Sequence, residues 1–372
     1  MPKPVLREVL PVDYDRVVEL AERNGLGAEG SKSRWDWLWK KNPATIHLPN
    51  APAGWVLDHG GLVCGYLGNI CGIGWLNSQM IRVAAAHKFV VDPSYRGHSL
   101  RLAAAFFSQP DADLLLNTSA NAAAGAAFGL CKAKHIPQPD YGNVLFWAIR
   151  PRAVLQAYLR KRGHNPWLAA LGGAILAPLA ATDNLMREIY RPQLLANIDI
   201  KLLNPEQIGP EFDNLWHATV KRYPERLLLE RSAETLRWHF RSGSNIKRRV
   251  YIVTAWQKKL LLGYAVVTRE DSAWLELNRS RISDLQVIDG NPFVIDQLLA
   301  AAHENASKTG SDTLEMIGFP QSVRQRFLAG KPHIYRLPHW PYWYKARDTK
   351  LAAAIALEGS WYGSPYDGDA TL

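Results

Sequence analysis

The sequence predicts an α/β protein, with α+β elements around mixed sheets, arranged as two domains in tandem. Its 372 residues exceed the roughly 100 to 200 residues of a usual single domain, so the chain has room for two cores. A β-branched strand near residue 90 runs through a Pro/Gly turn into an Ala-rich helix, which is a typical α/β unit. The same landmarks recur in the second half at similar separations. These three observations predict the fold class.

The first elements are predicted from the spacing of apolar residues and from residues that end helices. Gly25 ends a helix with helically spaced apolar residues, and Pro43 lies beyond the end of a Trp-rich helix. The turn Asp58–Gly61 joins two apolar runs as a hairpin does. The predicted elements are an edge strand over residues 4–9, a helix over 13–24, a second helix ending before Pro43, and a hairpin of residues 55–57 with 62–70.

The next unit predicts an anion site. The strand Phe89–Val91 leads through Asp92-Pro93 and Gly97 into an Ala-rich helix. We expect unpaired backbone N–H groups from Arg96 to Leu100 at the N-terminus of this helix, where the helix dipole favours an anion. Gly97 lets the backbone approach a phosphate closely.

A second buried strand, 113–117, follows, and Asn121 opens another Ala-rich helix that runs to Lys134. In this order, the strand, loop, helix, strand and Asn-headed helix resemble the GNAT superfamily of acyl-CoA-dependent N-acetyltransferases, in its tandem two-domain bacterial type. The family's loop pattern is Gln/Arg-x-x-Gly-x-Gly/Ala, of which Ser94–Ser99 keeps the central glycine. Phe128 stands where many members carry a Tyr that protonates the leaving thiolate.

The resemblance implies a co-substrate, acetyl-CoA or another acyl-CoA. The cysteines have no His/Cys metal spacing, so no metal is expected. The resemblance also implies that backbone groups of the strand hold the pantetheine arm while the loop holds the pyrophosphate. The cofactor-binding residues predicted in this way are Val90, Val91, Arg96, Gly97, His98, Ser99, Leu100 and Asn121.

The catalytic residues are predicted from their positions beside this loop. Transfer to an amine needs a base, for which we expect His87 on the strand or Asp92 at its end, with Asp113 and Asn117 as further candidates. Phe128 has no proton to give. The thiolate then takes its proton from another acid or from solvent, or the domain binds acyl-CoA without turning it over.

The internal repeat predicts the domain boundaries. Each half contains a Gly-Tyr dipeptide, Gly65-Tyr66 in the first and Gly263-Tyr264 in the second. Gly65 lies 27 residues before Asp92, and Gly263 lies 26 residues before Asp289. Each half ends in an aromatic strand, 145–147 or 342–344. We therefore expect a GNAT-like acyl-CoA-binding domain over 1–150, a helical connector over 151–195, and a second, degenerate GNAT-like domain over 196–372. The degenerate half lacks a basic residue in its loop, 289–293.

The composition indicates which classes of binding partner and which cellular compartment to expect. The formal charge of +10 favours anionic partners, but the basic residues form no dense tract and indicate no specific nucleic-acid binding. Three cysteines without metal spacing, and an N-terminal stretch without an apolar signal region, favour the cytoplasm. The apolar run 166–181 has two interpretations, a connector buried between domains or a segment in a membrane interface. The oligomeric state is not predicted.

Three functions stay open from the sequence. The leading one is an acyl-CoA-dependent N-acyltransferase, an acetyltransferase acting on a small amine or on an amino-sugar or envelope-precursor acceptor. Aromatic residues near the C-terminal end, with Asp367 and Asp369, suit such a glycan-precursor partner. The second is a transferase of the peptidoglycan-bridge type that takes its acyl group from charged tRNA. The third is a non-catalytic acyl-CoA-binding module.

Overall fold

A computed structural model describes residues 3–26, 32–195, 198–241 and 249–372. Within these ranges the strands, in chain order, are β1 Val5–Glu8, β2 Gly54–His59, β3 Leu62–Leu76, β4 Gln79–Val91, β5 Leu114–Asn117, β6 Lys134–His135, β7 Asn143–Ala148, β8 Asp199–Leu203, β9 Leu228–Leu229, β10 Val250–Gln257, β11 Leu260–Arg269, β12 Arg279–Val287, β13 Thr313–Met316, β14 His333–Arg336 and β15 Trp343–Ala346. The α-helices are α1 Tyr14–Arg23, α2 Lys32–Trp39, α3 Ser99–Ser108, α4 Ala122–Leu130, α5 Pro151–Lys161, α6 Pro166–Glu188, α7 Glu211–Arg222, α8 Ala233–Phe240, α9 Pro292–Lys308, α10 Gln321–Ala329 and α11 Thr349–Ala354.

The strands form two mixed sheets with the same topology. The first sheet has the order β1-β2-β3-β4-β5-β15-β6, with β9 paired to β3, and the second has the order β8-β10-β11-β12-β13-β7-β14. In each sheet one inner pair is parallel, β4 with β5 and β12 with β13. Gly65 is paired with Val91 in the first sheet as Gly263 is with Val287 in the second. The predicted mixed α/β class and the internal repeat are confirmed.

The chain forms two compact units whose boundaries differ from the predicted domains of 1–150, 151–195 and 196–372. The first unit contains Met1–Pro139, Tyr223–Lys247 and Pro338–Leu372, and the second contains Asp140–Arg222 and Arg248–Leu337. The reason is an exchange of strands. β7 pairs with β13 and β14 in the second sheet, whereas β15 pairs with β5 and β6 in the first. The aromatic strand β7 of the first half therefore belongs to the second sheet, and the aromatic strand β15 of the second half belongs to the first sheet.

The core of the first unit lies on both faces of its sheet. Successive side chains of a strand point to opposite faces, so β4 divides its residues between two layers. Ala84 and Ala86 pack with Phe106 of α3 on one face. Leu20 of α1 and Trp35 of α2 pack on the other. The helix over 13–24 and the edge strand over 4–9 are confirmed at α1 and β1.

The predicted connector, residues 151–195, contains two helices of the second unit. The region after residue 150 is helical as predicted, in α5 and α6. The interpretation of residues 166–181 as a buried connector is wrong, because only 17% of the most apolar window of α6 is buried. By length and composition alone, α6 is the one helix in the described ranges that is long and apolar enough to cross a membrane.

Candidate functional site

The strands β4 and β5 separate at one end, which leaves an open backbone edge. Their parallel pairing covers only Val83–Ala85 against Leu114–Leu116, whereas β4 continues to Val91. No strand in the described part of the chain pairs with this edge beyond Ala85. The Asp92 N–H donates to the Cys64 carbonyl at 2.9 Å. Successive N–H groups of a strand point alternately to its two sides. Because the N–H of Asp92 points to β3, that of Val91 points to the open edge and that of Val90 points to β3.

The loop after β4 is a short 3-10 helix, Pro93–His98, that runs directly into α3. The Tyr95 N–H donates to the Asp92 carbonyl at 2.8 Å, and the Ser99 N–H donates to the Arg96 carbonyl. The expectation of unpaired donors throughout Arg96–Leu100 is therefore wrong for Ser99, because the 3-10 turn uses its N–H.

The surface of this loop is nevertheless open to a ligand. Arg96, Gly97 and Leu100 are exposed, and His98 is half-buried. A Cβ atom added at Gly97 would meet no atom within 4 Å. The positive side chain of Arg96 and free space at the start of a helix suit a phosphate.

The helix α4 begins as predicted but contributes no acid. The Asn121 side chain caps it by accepting from the Ala124 N–H at 2.9 Å. The helix ends at Leu130 and not at the predicted Lys134, with Lys132 in the left-handed region at φ 63°. Phe128 is fully buried and stacks on Phe89, with ring centroids 5.8 Å apart.

The carboxylate of Asp92 is held by α1. It accepts from Arg23 Nη2 at 2.7 Å and from Asn24 Nδ2 at 2.7 Å. Burial raises the pKa of Asp92, but the bonds from Arg23 and Asn24 outweigh burial, so the net pKa is lowered. A carboxylate with such partners is a weak base, and its position indicates a structural link between α1 and the end of β4.

The other two polar candidates on β5 lie at opposite ends of that strand. Asp113 precedes β5 and its Oδ1 accepts from Arg82 Nη2 at 2.8 Å, beside the start of β4. Asn117 ends β5 and accepts from the Ser119 N–H at 3.3 Å. Because β4 and β5 are parallel, Asn117 is at the end where the strands separate, whereas Asp113 is at the closed end.

His87 lies on β4 just past the point of separation and is 5% exposed. Its Nδ1 is 3.7 Å from Oδ2 of Asp369 and has no hydrogen-bond partner within the described ranges. The Asp369 carboxylate in turn accepts from Ser119 Oγ at 2.8 Å and Thr118 Oγ1 at 3.2 Å. In a histidine base a carboxylate usually accepts a hydrogen bond from Nδ1 of the ring. The pair is oriented in this way here, at a separation longer than a hydrogen bond.

A small cavity of about 30 Å³ lies beside His87, between α1, α2 and the strands β3 and β4. Its wall includes Tyr66, Trp39 and Val90. The hydroxyl of Tyr66 is buried without a hydrogen-bond partner in the described part of the chain. Burial raises the pKa of Tyr66, so the phenol keeps its proton at neutral pH. The cavity thus combines a hydrogen-bond donor and a proton acceptor.

A larger cavity of about 150 Å³ opens on the same face of the sheet, where Val83 and Ala85 of β4 form part of its wall. Glu230 and Glu234 contribute carboxylates, and Trp238 and Tyr366 contribute aromatic surfaces. Glu230 accepts from Ser232 Oγ at 2.9 Å, and Glu234 is exposed. Acidic groups beside aromatic rings suit a cationic ligand with an apolar or sugar face.

Sequence reasoning missed several of these groups. Glu230 and Glu234 carry no local motif, and Tyr66 served only as a landmark of the repeat. Asp369 was noted for sugar hydroxyls, but its proximity to His87 joins positions 282 residues apart. The Gly-Tyr dipeptide that both halves share was the only available signal for Tyr66.

The corresponding loop of the second unit is closed by its own side chain. Asn291 precedes α9, and its Oδ1 accepts from the Phe293 N–H at 3.0 Å and the Val294 N–H at 3.4 Å. Asp289 lies in the left-handed region at φ 52°. These donors are already used within the loop, and the loss of cofactor binding in this half stays a prediction.

Comparison with known proteins identifies the fold. No model of a protein family matches the chain, and no curated protein matches it in sequence. Among solved structures, a GCN5-related N-acetyltransferase from Anabaena variabilis is similar with a TM-score of 0.52 and 12% identity, over 92% of this chain and 70% of that one. One from Kribbella flavida has a TM-score of 0.54 and 10% identity, over 94% and 73%. The N-myristoyltransferase of Saccharomyces cerevisiae, solved with bound myristoyl-CoA, has a TM-score of 0.53 and 9% identity, over 93% and 79%. With its two sheets of equal topology, the chain therefore has the fold of the GNAT acyltransferase superfamily in two tandem copies.

Proposed function

We propose that the protein is an acyl-CoA-dependent N-acyltransferase whose active site lies in the first unit. The observation that carries this proposal is the open edge of β4, which leads from the exposed loop Pro93–His98 to the buried pair His87 and Asp369. A pantetheine arm bound along this edge by backbone groups places its thioester beside His87. The pyrophosphate then lies at the loop, near Arg96 and Gly97.

The reaction follows from these positions. A neutral amine attacks the thioester carbon, a C–N bond forms, and the C–S bond breaks to release the CoA thiolate. His87 accepts the proton that the amine nitrogen loses, and Asp369 positions the imidazole through Nδ1. The phenol of Tyr66, kept neutral by burial, donates a hydrogen bond to the oxyanion, and the thiolate takes its proton from solvent, because Phe128 offers none.

The larger cavity supports an amine acceptor. Glu230 and Glu234 attract a cation, and the rings of Trp238 and Tyr366 present flat surfaces to a ring or a chain. An amino sugar or another amine-bearing envelope precursor meets both demands. Acetyl-CoA is the first donor to test, followed by longer acyl-CoA.

Steady-state kinetics with acetyl-CoA and a panel of amines and amino sugars tests the reaction. We expect His87→Gln to lower kcat by roughly 10²- to 10⁴-fold. Asp369→Asn should lower kcat and change the pH profile of kcat/KM, since the imidazole loses its orienting charge. The matched control His135→Gln alters a histidine on β6, which stacks on Trp340, and should leave kcat unchanged. Full activity of His87→Gln, or a loss confined to Asp92→Asn, would move the base to another residue.

Binding is measured separately by calorimetric titration with acetyl-CoA and CoA. Gly97→Trp should abolish saturable binding without unfolding the protein, because the new side chain enters open space. Equal affinity in the wild type and the variant would show that the loop does not hold the pyrophosphate. No binding by the wild type would contradict the acyl-CoA proposal and favour charged tRNA as the donor.

A second candidate, a non-catalytic acyl-CoA-binding module, is favoured by Phe128. This side chain is fully buried where many proteins of this fold carry a tyrosine acid. Tight CoA binding without turnover of any acceptor in the panel would support this alternative.

A further inference from the structure

The helices α5 and α6 form a hairpin in which α6 packs on α5 through small residues. Ala169 is fully buried. A Cβ atom at Gly173 would lie 2.4 Å from Cγ of Gln156, and one at Gly172 would lie 2.9 Å from Cδ1 of Leu159. A larger residue at either position would force the side chain of Gln156 or Leu159 to move, so the glycines keep the small face of α6 close to α5.

The opposite face of α6 carries large apolar side chains that contact little. Their exposed fractions are 68% for Trp167, 47% for Leu168, 47% for Leu171, 67% for Ile175 and 70% for Leu179. At about 100° per residue these side chains occupy one half of the helix circumference. We call this set the apolar face of α6. Contiguous exposed apolar surface of this kind marks an interaction site in a soluble protein.

Positive charge lies at the N-terminal end of the apolar face. Residues 151–182 contain four Arg and Lys residues and no Asp or Glu. Lys161 and Arg162, at the turn between the helices, are exposed, whereas Arg160 is paired with Glu276 at 2.6 Å. Trp167 lies next to this basic turn. Lys161 lies over the ring of Tyr335 and Arg162 over that of Tyr158, but no ion pair of either with a carboxylate is seen in the described ranges. Apolar side chains beside a tryptophan and such exposed cations are typical of a helix that lies in the interface of an anionic bilayer.

We propose that the apolar face of α6 docks on an anionic lipid bilayer, with the helix lying in the plane of the interface. A spanning orientation is unfavourable because α6 is packed along α5, whose Gln156 and Arg160 would enter the hydrocarbon. Parallel pairing of α6 with the α6 helix of a second copy is also unfavourable, because it would bring the basic turns of the two copies together. The proposal does not depend on the proposed acyltransferase activity.

The test is co-sedimentation of the full-length protein with vesicles of phosphatidylcholine, with and without phosphatidylserine. We expect binding that requires phosphatidylserine. Replacing Leu171, Ile175 and Leu179 by Gln should weaken partitioning about tenfold for each residue. The double variant Lys161→Gln/Arg162→Gln should weaken it about fivefold for each charge, and should affect only the phosphatidylserine vesicles.

The matched control replaces exposed leucines elsewhere in the same unit, Leu202→Gln and Leu260→Gln, which are 52% and 51% exposed. This control should bind vesicles like the wild type. All variants should keep the thermal midpoint of the wild type, since none of the replaced side chains is in the core. Absence of wild-type binding, equal binding to both vesicle types, or a light-scattering dimer that the triple variant abolishes would overturn the proposal.

Discussion

Both repeats carry a buried tyrosine at the same position, but the two hydroxyl groups differ in their hydrogen bonding. Removing each hydroxyl should therefore change the free energy of unfolding in opposite directions. Tyr66 follows Gly65 in β3, and Tyr264 follows Gly263 in β11. Both side chains are 1% exposed. The hydroxyl of Tyr66 has no hydrogen-bond partner in the described part of the chain, whereas that of Tyr264 donates to Oδ2 of Asp284 at 2.8 Å.

The magnitudes follow from the cost of an unsatisfied buried group. A buried hydroxyl without a partner costs about 1–3 kcal/mol, so Tyr66→Phe should raise the free energy of unfolding by about 1–2 kcal/mol. Tyr264→Phe removes a hydrogen bond to a carboxylate and should lower the free energy of unfolding by about 1.5–3 kcal/mol. In units of this size each kcal/mol shifts Tm by about 2–4 °C.

The assay is urea unfolding of the full-length protein, followed by circular dichroism and tryptophan fluorescence and fitted for each unit. The two variants should move their midpoints in opposite directions. If the phenol of Tyr66 serves the reaction, Tyr66→Phe also lowers kcat while it raises stability. A loss of stability in both variants would refute the reasoning, because it would show that the hydroxyl of Tyr66 is satisfied.

Two more predictions concern buried aromatic residues. Burial and the charge of Arg191 lower the pKa of His303 to about 4 from 6.5. The contribution of neutral His303 to the free energy of unfolding is therefore fully present above pH 6.5, and about 3 kcal/mol of it is lost as the pH falls from 6.5 to 4. Urea unfolding of His303→Gln should lack this decline, and an identical decline in the variant would assign it to other groups. Phe128→Tyr should lower the free energy of unfolding by about 1–3 kcal/mol without raising kcat, because it adds a hydroxyl to a fully buried ring that packs against Phe89 and Phe107. A rise in kcat without loss of stability would instead show that this position reaches the thioester.

Local patterns in the sequence determined the elements and their repetition. The apolar period predicted α1 and β1, and the side chain of Asn121 caps α4 as its position indicated. The shared Gly-Tyr landmarks predicted two sheets of equal topology, and the paired positions of Gly65 and Gly263 confirm this. These features depend on neighbouring residues and on turn chemistry, both of which are written along the chain.

Only the tertiary structure decided how these elements combine. The strands β7 and β15 exchange sheets although each has the pattern of a final strand, because apolar alternation does not specify which sheet edge a strand joins. The apolar run in α6 has the same composition whether it is buried or exposed, and its packing on α5 turned the large side chains outward. The distance of 3.7 Å between His87 and Asp369 joins remote positions, and no local pattern encodes such a contact. Pairing and proximity between distant segments are properties of the folded chain, and the candidate site depends on them.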